Sequence, residues 1–354
     1  MNDDANSTCT YGSEKINGQV KEIKESKEIK LIGKNEGGLS RKQGFYAGLC
    51  YTIPGNKEFF AKEINKEQGD TQAKIAIAQA FYSMIVHTPA VVGQQTIQET
   101  ECKNRECMLY SKANVSGKRY SLFEKTVRTH VNLHSLLYGL CDRPMNTLML
   151  QDRQGNNQLL GIDLDCNGNQ FFAFNEKYLP GNELFHDNFL NAKRSRLRIV
   201  EDECNKLEKI NYEEFLHRCV MNFKILGIEK EEETWRTFKA FLDAACNYKK
   251  ALSDCFNENY VKEKSEKCCI VKIKDFFAGY GCEYKAPRLV QRAIQRDNEK
   301  FFSFYNDILR KTVKDVVSEY GSDDWRKKHP ISNVNNIQSK INFDNFYAST
   351  RGIC

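Results

Sequence analysis

The stretch Leu-Cys-Asp-Arg-Pro-Met-Asn at 140–146, together with Gly-Ile-Asp-Leu-Asp at 161–165, decides how this chain is interpreted. A polar loop carries Asp142 and Asn146, and a second carboxylate, Asp163, follows seventeen residues after the asparagine. In phosphoryl transfer, one carboxylate orients or deprotonates the attacking hydroxyl, while an amide and another carboxylate hold the metal ions that neutralise a triphosphate. The stretch therefore predicts a phosphoryl-transfer site.

A β-hairpin is predicted between these two loops. Apolar runs at 148–150 and 159–162 flank a polar turn that contains Gly155, Asn156 and Asn157. Glycine and asparagine are the residues that tight hairpin turns favour. Because the two ends of a hairpin lie side by side, we expect the two loops to meet at one edge of a cleft.

The preceding part of the chain has the pattern of a small β-rich region. Apolar and alternating runs predict five strands, at 29–32, 45–53, 58–64, 107–111 and 119–124. Between the third and fourth strands, apolar residues recur at helical spacing and predict a helix at 70–86, capped by Asp70 or Thr71.

The rest of the chain has mostly helical patterns. A helix is predicted to lead into the Asp142 loop, and almost all of the chain after residue 200 is predicted to be helical. The first 28 residues are polar and are predicted to be disordered, and residues 321–354 are predicted to form a polar tail. These patterns predict an α+β protein with strands first and helices after them.

On these residues the chain resembles the protein-kinase-like superfamily. The likeness is to its atypical branch, which includes phosphoinositide kinases, toxin-type bacterial kinases and kinase-like bacterial effectors. It rests on Ala61-Lys62 on the third strand, Asp142-Arg143-x-x-Asn146 and Ile162-Asp163-x-Asp165. Three strands, a helix and two strands is also the order of a kinase N-terminal lobe. The resemblance implies a two-lobed protein-kinase-like fold, with a small β-rich N-lobe at 29–125 and a mostly helical C-lobe at 126–320.

The resemblance also implies an activity, which is ATP- and Mg²⁺- or Mn²⁺-dependent transfer of a phosphoryl group to a protein, lipid or small-molecule hydroxyl. In that activity Lys62 would pair with the α- and β-phosphates, and Asp142 would orient the acceptor. Asn146 and Asp163 would hold metal, with Asp165 as a second acidic ligand.

Two further parts of the nucleotide site follow from the same resemblance. Gly37 and Gly38 would belong to the loop that covers the phosphates, since glycine permits close backbone approach. Glu124 would lie at the hinge that contacts adenine. The spacing of the glycines, Gly33-x-x-x-Gly37-Gly38, differs from the usual protein-kinase pattern.

The chain departs from the family in two places. Asp142 and Asn146 are four positions apart, where the usual loop separates these residues by five. The helix at 70–86 contains no glutamate to pair with Lys62; its polar candidates are Asp70, Gln72 and Gln79. These departures keep open a catalytically inactive pseudokinase that serves as a binding module. A kinase-fold nucleotidyl (AMP) transferase is a further alternative, and so is an all-helical adaptor if the strands at 29–64 are wrong.

Net charge gives a weak indication of partners. The chain of 354 residues has 53 Lys and Arg against 47 Asp and Glu, a net charge of +6, which suits a nucleotide, an anionic lipid or an acidic protein. The densest basic run, at 193–198, is a candidate site for an anionic lipid headgroup or a phosphate. Aromatic residues are not interleaved with this run, so nucleic acid is not an expected partner.

The sequence also bears on compartment and on metal content. No stretch approaches the roughly 20 apolar residues of a membrane span, and the acidic, polar beginning does not resemble a signal peptide. The fourteen cysteines include no Cys-x-x-Cys pair and are interpreted as free thiols in a reducing, cytoplasmic compartment. The Lys-, Asn- and Ile-rich composition also suits a secreted bacterial effector in a host cytosol. His130 and His134 are four residues apart with no acidic residue between them, so no metal site is predicted there.

Overall fold

The fold is taken from a computed structural model of the chain. It describes residues 8–9, 14–16, 19–21, 29–35, 48–53, 57–64, 71–86, 88, 90–100, 103–111, 125–140, 147–151, 157–161, 194–256 and 285–329. In this part of the chain the strands all lie before residue 162, and everything after residue 193 is helical or connects helices. The predicted α+β class is confirmed.

Six strands form one antiparallel sheet. They are β1 (Thr8–Cys9), β4 (Ile29–Asn35), β5 (Gly48–Ile53), β6 (Lys57–Glu63), β7 (Val91–Thr100) and β8 (Lys103–Ser111). Their spatial order is β1-β4-β5-β6-β8-β7, so the strand that follows the first helix lies at the far edge. A separate two-stranded pair is formed by β2 (Glu14–Ile16) and β3 (Gln19–Lys21).

Strand β8 lies inside the sheet and is covered on both of its faces. Met108 and Tyr110 belong to the main core cluster, and the alternate residues Cys107 and Leu109 are also buried. Such a run of buried residues is the pattern of a strand with neighbours on both sides and layers on both faces.

Helix α1 (Gln72–Tyr82) follows β6 and is almost entirely buried. The side chain of Thr71 caps it by accepting a hydrogen bond from the backbone N–H of Lys74 at 3.2 Å. The helix contains four alanines, which let neighbouring helices approach closely. Phe81, near its end, makes edge-to-face contacts with Phe215 and Phe241, with ring centroids 5.6 Å apart in each pair.

The predicted hairpin is present as β9 (Thr147–Gln151) and β10 (Asn157–Gly161). Its register pairs Thr147 with Gly161, so the open end of the hairpin is formed by these two residues. Gly161 is buried against the ring of Tyr82, which belongs to α1. The hairpin therefore packs on the end of the helix that follows β6.

Helices form the rest of the described structure. They are α2 (Lys125–Tyr138), α3 (Arg194–Lys209), α4 (Tyr212–Leu226), α5 (Glu232–Cys255), α6 (Lys285–Ile308), α7 (Val313–Tyr320) and α8 (Asp323–Lys328). Asn211 caps the start of α4, and Gly227 ends it in the left-handed conformation at φ 69°. Among the described residues, no helix has the length and apolarity that a membrane span requires.

One core cluster contains residues from both sides of the predicted boundary at 125/126. Ile64, Met108 and Phe81 precede that boundary, while Phe215 and Val316 follow it. Asn222 of α4 also donates hydrogen bonds to the carbonyl of Ala76 and the side chain of Gln79, both at 2.9 Å. The strands and the helices therefore share a continuous interior.

Three elements differ from the sequence prediction. The described strand between α1 and β8 is β7, at 91–100, whereas the predicted strand at 119–124 lies outside the described residues. The segment predicted to be disordered contains β1, β2 and β3. Strand β1 pairs with β4, and β2 pairs with β3, and local composition does not reveal these pairings. The predicted polar tail begins with α8, which is held by the buried Trp325.

Candidate functional site

Lys62 is the one predicted site residue within the described structure. It lies on β6, where the register pairs it with Met108 of β8. Directly opposed residues of antiparallel strands lie on the same face of a sheet. Met108 is fully buried in the core cluster that includes α1, so position 62 is on the face that the core covers.

The other predicted site residues lie outside the described residues. They are Gly37, Gly38, Glu124, Asp142, Asn146, Asp163 and Asp165. Two of them adjoin the open end of the hairpin in sequence: Asn146 directly precedes Thr147, and Asp163 comes two residues after Gly161. The described hairpin thus connects the two segments that the sequence pairs in function.

Helix α1 offers no acidic partner for Lys62, because its sequence contains neither Asp nor Glu. Of its two glutamines, Gln79 has other partners. Its amide group donates to Thr88 at 3.1 Å, and its carbonyl oxygen accepts from Asn222 at 2.9 Å. The side chain of Gln79 is therefore committed to α4 and to the chain after α1.

The basic run at 193–198 overlaps the first turn of α3, which begins at Arg194. Arg198 is exposed, and the neighbouring Leu197 is buried in the core. This arrangement is that of an amphipathic helix start. Its basic side chains remain a predicted contact for an anionic headgroup or phosphate.

A cluster of ionisable side chains joins α2 to α3. The Nδ1 atom of His130 lies 2.6 Å from Oε1 of Glu203, and Nε2 of His134 lies 3.1 Å from Oε2 of the same carboxylate. Lys206 donates to Glu203 Oε1 at 2.8 Å. Ligand atoms of the two histidines and the glutamate all lie within 4.8 Å of one another, a grouping that could hold a metal ion.

Burial governs the protonation of this cluster. Burial lowers the pKa of His134 below its ordinary value, although the carboxylate of Glu203 opposes this shift. Burial alone would raise the pKa of Glu203, but His134 and the hydrogen bonds from both histidines hold it well below its usual range. At neutral pH the cluster therefore contains an ionised Glu203 and a neutral His134 that donates Nε2–H to it. Nδ1 of His134 is buried without a hydrogen-bond partner among the described residues.

The sequence reasoning missed this cluster. The spacing of His130 and His134 predicts no metal site because no acidic residue separates the two, whereas the third side chain comes from Glu203, 69 residues after His134. Spacing along one helix cannot reveal a donor on another helix. A possible signal was a lone glutamate at an inward position of the amphipathic helix α3, since a carboxylate is rarely buried without partners.

A second group of buried charged side chains lies among the helices. Lys249 of α5 forms an ion pair with Asp297 of α6, and the hydroxyl of Tyr212 donates to the same carboxylate at 2.7 Å. The ammonium of Lys249 also lies 5.1 Å from the ring centroid of Phe301. Each of these polar groups has a partner within the core, so we interpret them as a structural link between α4, α5 and α6.

Comparison of the chain with family models, with curated proteins and with solved structures gives no match. The functional argument therefore rests on the residues and contacts of this chain.

Proposed function

We propose that the protein is an ATP- and Mg²⁺-dependent phosphotransferase with a protein-kinase-like fold. One contact carries the proposal: Gly161, at the end of the hairpin, lies against Tyr82 of α1. The segment that leads into Asp163 thus starts beside α1. Helix α1 shares a core cluster with Met108, the β8 residue that is paired with Lys62. A phosphate-binding lysine and a metal-binding aspartate must approach the same nucleotide, and this contact favours such an approach.

The order of the described elements supports the proposal. After β1, β2 and β3, the three strands β4–β6, helix α1 and the two strands β7 and β8 precede α2; the hairpin and further helices follow. This is the order expected of a kinase N-terminal lobe followed by a helical lobe, with β7 in place of the strand predicted at 119–124. Strand β6, which corresponds to the third predicted strand, lies between β5 and β8, so Lys62 belongs to an inner strand of the sheet.

In the proposed reaction the protein acts by position and charge. Lys62 holds the α- and β-phosphates, and Asp142 orients the acceptor hydroxyl. Asn146, Asp163 and Asp165 carry the oxygen ligands that Mg²⁺ prefers. The bound metal would neutralise charge on the phosphates. Catalysis would follow mainly from holding the reactants in line and stabilising the charge that develops.

One observation favours a second candidate, a pseudokinase that binds a nucleotide or partner without chemistry. Helix α1 has no acidic residue, and Gln79 is held by Thr88 and Asn222. Lys62 would then lack the partner that positions it in an active kinase. For the active phosphotransferase, we propose a protein, an anionic lipid or a small molecule as the acceptor. We also propose delivery of the protein into a host cytosol.

The first test is thermal unfolding of the full chain with ATP, in the presence and absence of Mg²⁺ or Mn²⁺. Ligand that binds the native state stabilises it by RT ln(1 + [L]/Kd), about 2.7 kcal/mol at a hundred times Kd. We expect a metal-dependent rise in Tm for the wild type that Asp163→Ala abolishes. The matched control Asp202→Ala removes an exposed aspartate of α3 and should keep the rise. A folded wild type with no rise under any condition would refute nucleotide binding.

ATP labelled on its α- or γ-phosphorus separates the reactions. Label from the γ position on the protein, on phosphoinositide vesicles or on a polyol acceptor supports phosphoryl transfer. Label from the α position supports nucleotidyl transfer. Nucleotide binding without transfer of either label supports the pseudokinase. In each case Lys62→Met should weaken binding, whereas Lys239→Met, an exposed lysine of α5, should not.

A further inference from the structure

We propose that His130, His134 and Glu203 form a binding site for a transition-metal ion of the Zn²⁺ class, separate from the proposed Mg²⁺ site. Two imidazoles and one carboxylate are a donor set that Zn²⁺ uses, with three protein ligands and water in the fourth position. Imidazole favours Zn²⁺, Cu²⁺, Fe²⁺ and Ni²⁺, whereas Mg²⁺ takes oxygen ligands. A site with two imidazole ligands is therefore suited to Zn²⁺ and not to the Mg²⁺ of the proposed phosphotransferase.

The distances between the ligand atoms of Glu203 and the two histidines are close to the distances between ligand atoms around a bound zinc ion. In a tetrahedral site with ligands about 2.0–2.1 Å from zinc, neighbouring ligand atoms are about 3.3 Å apart. The nitrogen–oxygen distances from His134 and His130 to Glu203 are 3.1 and 2.6 Å. The ligand atoms of all three side chains lie within 4.8 Å of one another, so adjustment of these side chains would bring them to a common ion.

Two side chains of the cluster are buried, and the third is partly exposed to solvent. The side chains of His134 and Glu203 are fully buried, whereas that of His130 is 13% exposed. The exposed edge of His130 gives an entering ion a path and gives the fourth ligand, a water, a place to bind. Zinc at Nε2 of His134 requires the neutral ring to carry its proton on Nδ1 instead. Protons compete with the ion for both imidazoles, so binding weakens as the pH falls.

Lys206 is the cation that now shares the carboxylate. Its ammonium lies 2.8 Å from Oε1 of Glu203, and its side chain is 32% exposed. A divalent ion would repel it, and an exposed, flexible lysine can turn toward water. Lys206 and the metal therefore compete for the same oxygen. This competition predicts that removing the ammonium strengthens metal binding.

The site lies where it would hold the segment before the Asp142 loop. The carbonyl of His134 accepts a hydrogen bond from the N–H of Leu140 at 3.5 Å, and the hydroxyl of Ser135 donates to the carbonyl of Leu140 at 2.7 Å. A metal that joins α2 to α3 would therefore also restrain the chain up to residue 140.

The test is metal binding by the full chain. After incubation with Zn²⁺ and gel filtration, we expect one equivalent of zinc at this site, and His130→Gln should reduce affinity at least about 100-fold, more than loss of an outer-shell partner. The control His329→Gln alters an exposed histidine beside Trp325 and should leave affinity unchanged. Lys206→Met should bind zinc several-fold more tightly while the metal-free protein becomes less stable. Equal zinc content and affinity in wild type and a folded His130→Gln would overturn the proposal.

Cobalt distinguishes this site from the cysteines. Co²⁺ bound by nitrogen and oxygen gives visible bands without the intense near-ultraviolet thiolate bands that cysteine ligands produce. The wild type alone gives this reading, so the test stands even if His130→Gln does not fold. A spectrum dominated by thiolate bands, with no gain in affinity for Lys206→Met, would also overturn the site.

Discussion

Replacement of Gly161 by alanine tests the contact that carries the functional proposal. A Cβ atom at this position would lie 2.8 Å from Cδ1 and 3.0 Å from Cζ of Tyr82, and closer still to Cε1. Carbon atoms in contact prefer about 3.5–4.0 Å. Among the described glycines, positive φ is confined to Gly139 and Gly227, so the backbone of Gly161 itself accepts alanine. The conflict is therefore with the ring alone.

The ring has no room to withdraw. Tyr82, at the end of α1, is fully buried in the core cluster. Overpacking of a dense core costs about 1–3 kcal/mol, and two backbone elements meet here, so we expect the upper part of that range. Urea unfolding of wild type and Gly161→Ala measures the loss. The Tm rise with ATP and Mg²⁺ should also shrink, because the hairpin that leads to Asp163 must shift.

A double-mutant cycle isolates the steric cause. Tyr82→Leu removes the ring atoms that the new methyl group would meet, so Gly161→Ala in that background should cost about 0.5 kcal/mol or less. The coupling energy should therefore reach about 2 kcal/mol, within the range seen for residues in contact. Equal destabilisation of both backgrounds would refute the contact, and with it the support for a shared cleft.

Three further predictions concern the helical core. Asn222→Ala should lose about 1–3 kcal/mol in urea unfolding, because it removes the donor of two buried hydrogen bonds to α1. Asp297→Asn should lose about 3–5 kcal/mol in the same assay, because the ammonium of Lys249 stays buried without its counter-charge. Burial lowers the pKa of Lys311, but hydrogen bonds to Glu319 and neighbouring acceptors raise it above 10.5 overall. Its stabilisation is then present below pH 10.5 and is lost as the pH rises through the folded pKa, so Lys311→Met should differ least from wild type in alkali.

Each of these predictions has a result that would contradict it, and the first also has a matched control. Asn205→Ala, at an exposed position of α3, should be neutral; if it matched Asn222→Ala, the hydrogen-bond argument would fail. Full stability of Asp297→Asn would mean that Lys249 is not held as described. A constant difference between Lys311→Met and wild type from pH 8 to alkaline pH would rule out the charge of Lys311 as the cause.

The elements that could be predicted are those with a strong local pattern. The hairpin was predicted at 148–150 and 159–162, and β9 and β10 occupy nearly those positions, because its apolar runs and Gly-Asn-Asn turn are local signals. Strand β7 was missed because it is polar, with glutamines at 94, 95 and 98. One of these, Gln94, donates to the carbonyl of Leu226 at 3.3 Å, so tertiary contact with α4 supports the strand where alternation does not.

Of the two candidate sites, one can be predicted from a local sequence pattern and the other cannot. The residues around Asp142 and Asp163 could be proposed as a site because their residue types and spacing can be recognised within one short stretch of sequence. The histidine–glutamate cluster was not, because Glu203 reaches His134 only once α2 and α3 pack together. Its physical signature, a buried carboxylate with three donors, exists only in the folded chain.

The burial of α1 has a consequence for how the protein could be divided experimentally. Its Ala76 carbonyl and Gln79 side chain are satisfied by Asn222, and its aromatic end packs on Phe215 and Phe241. A fragment that ended at residue 125 would expose this surface to water and would lack the hydrogen bonds that Asn222 donates to it. The strands and the helices should therefore not fold as separate pieces, and the amide protons of α1 should exchange with solvent only when the whole chain unfolds.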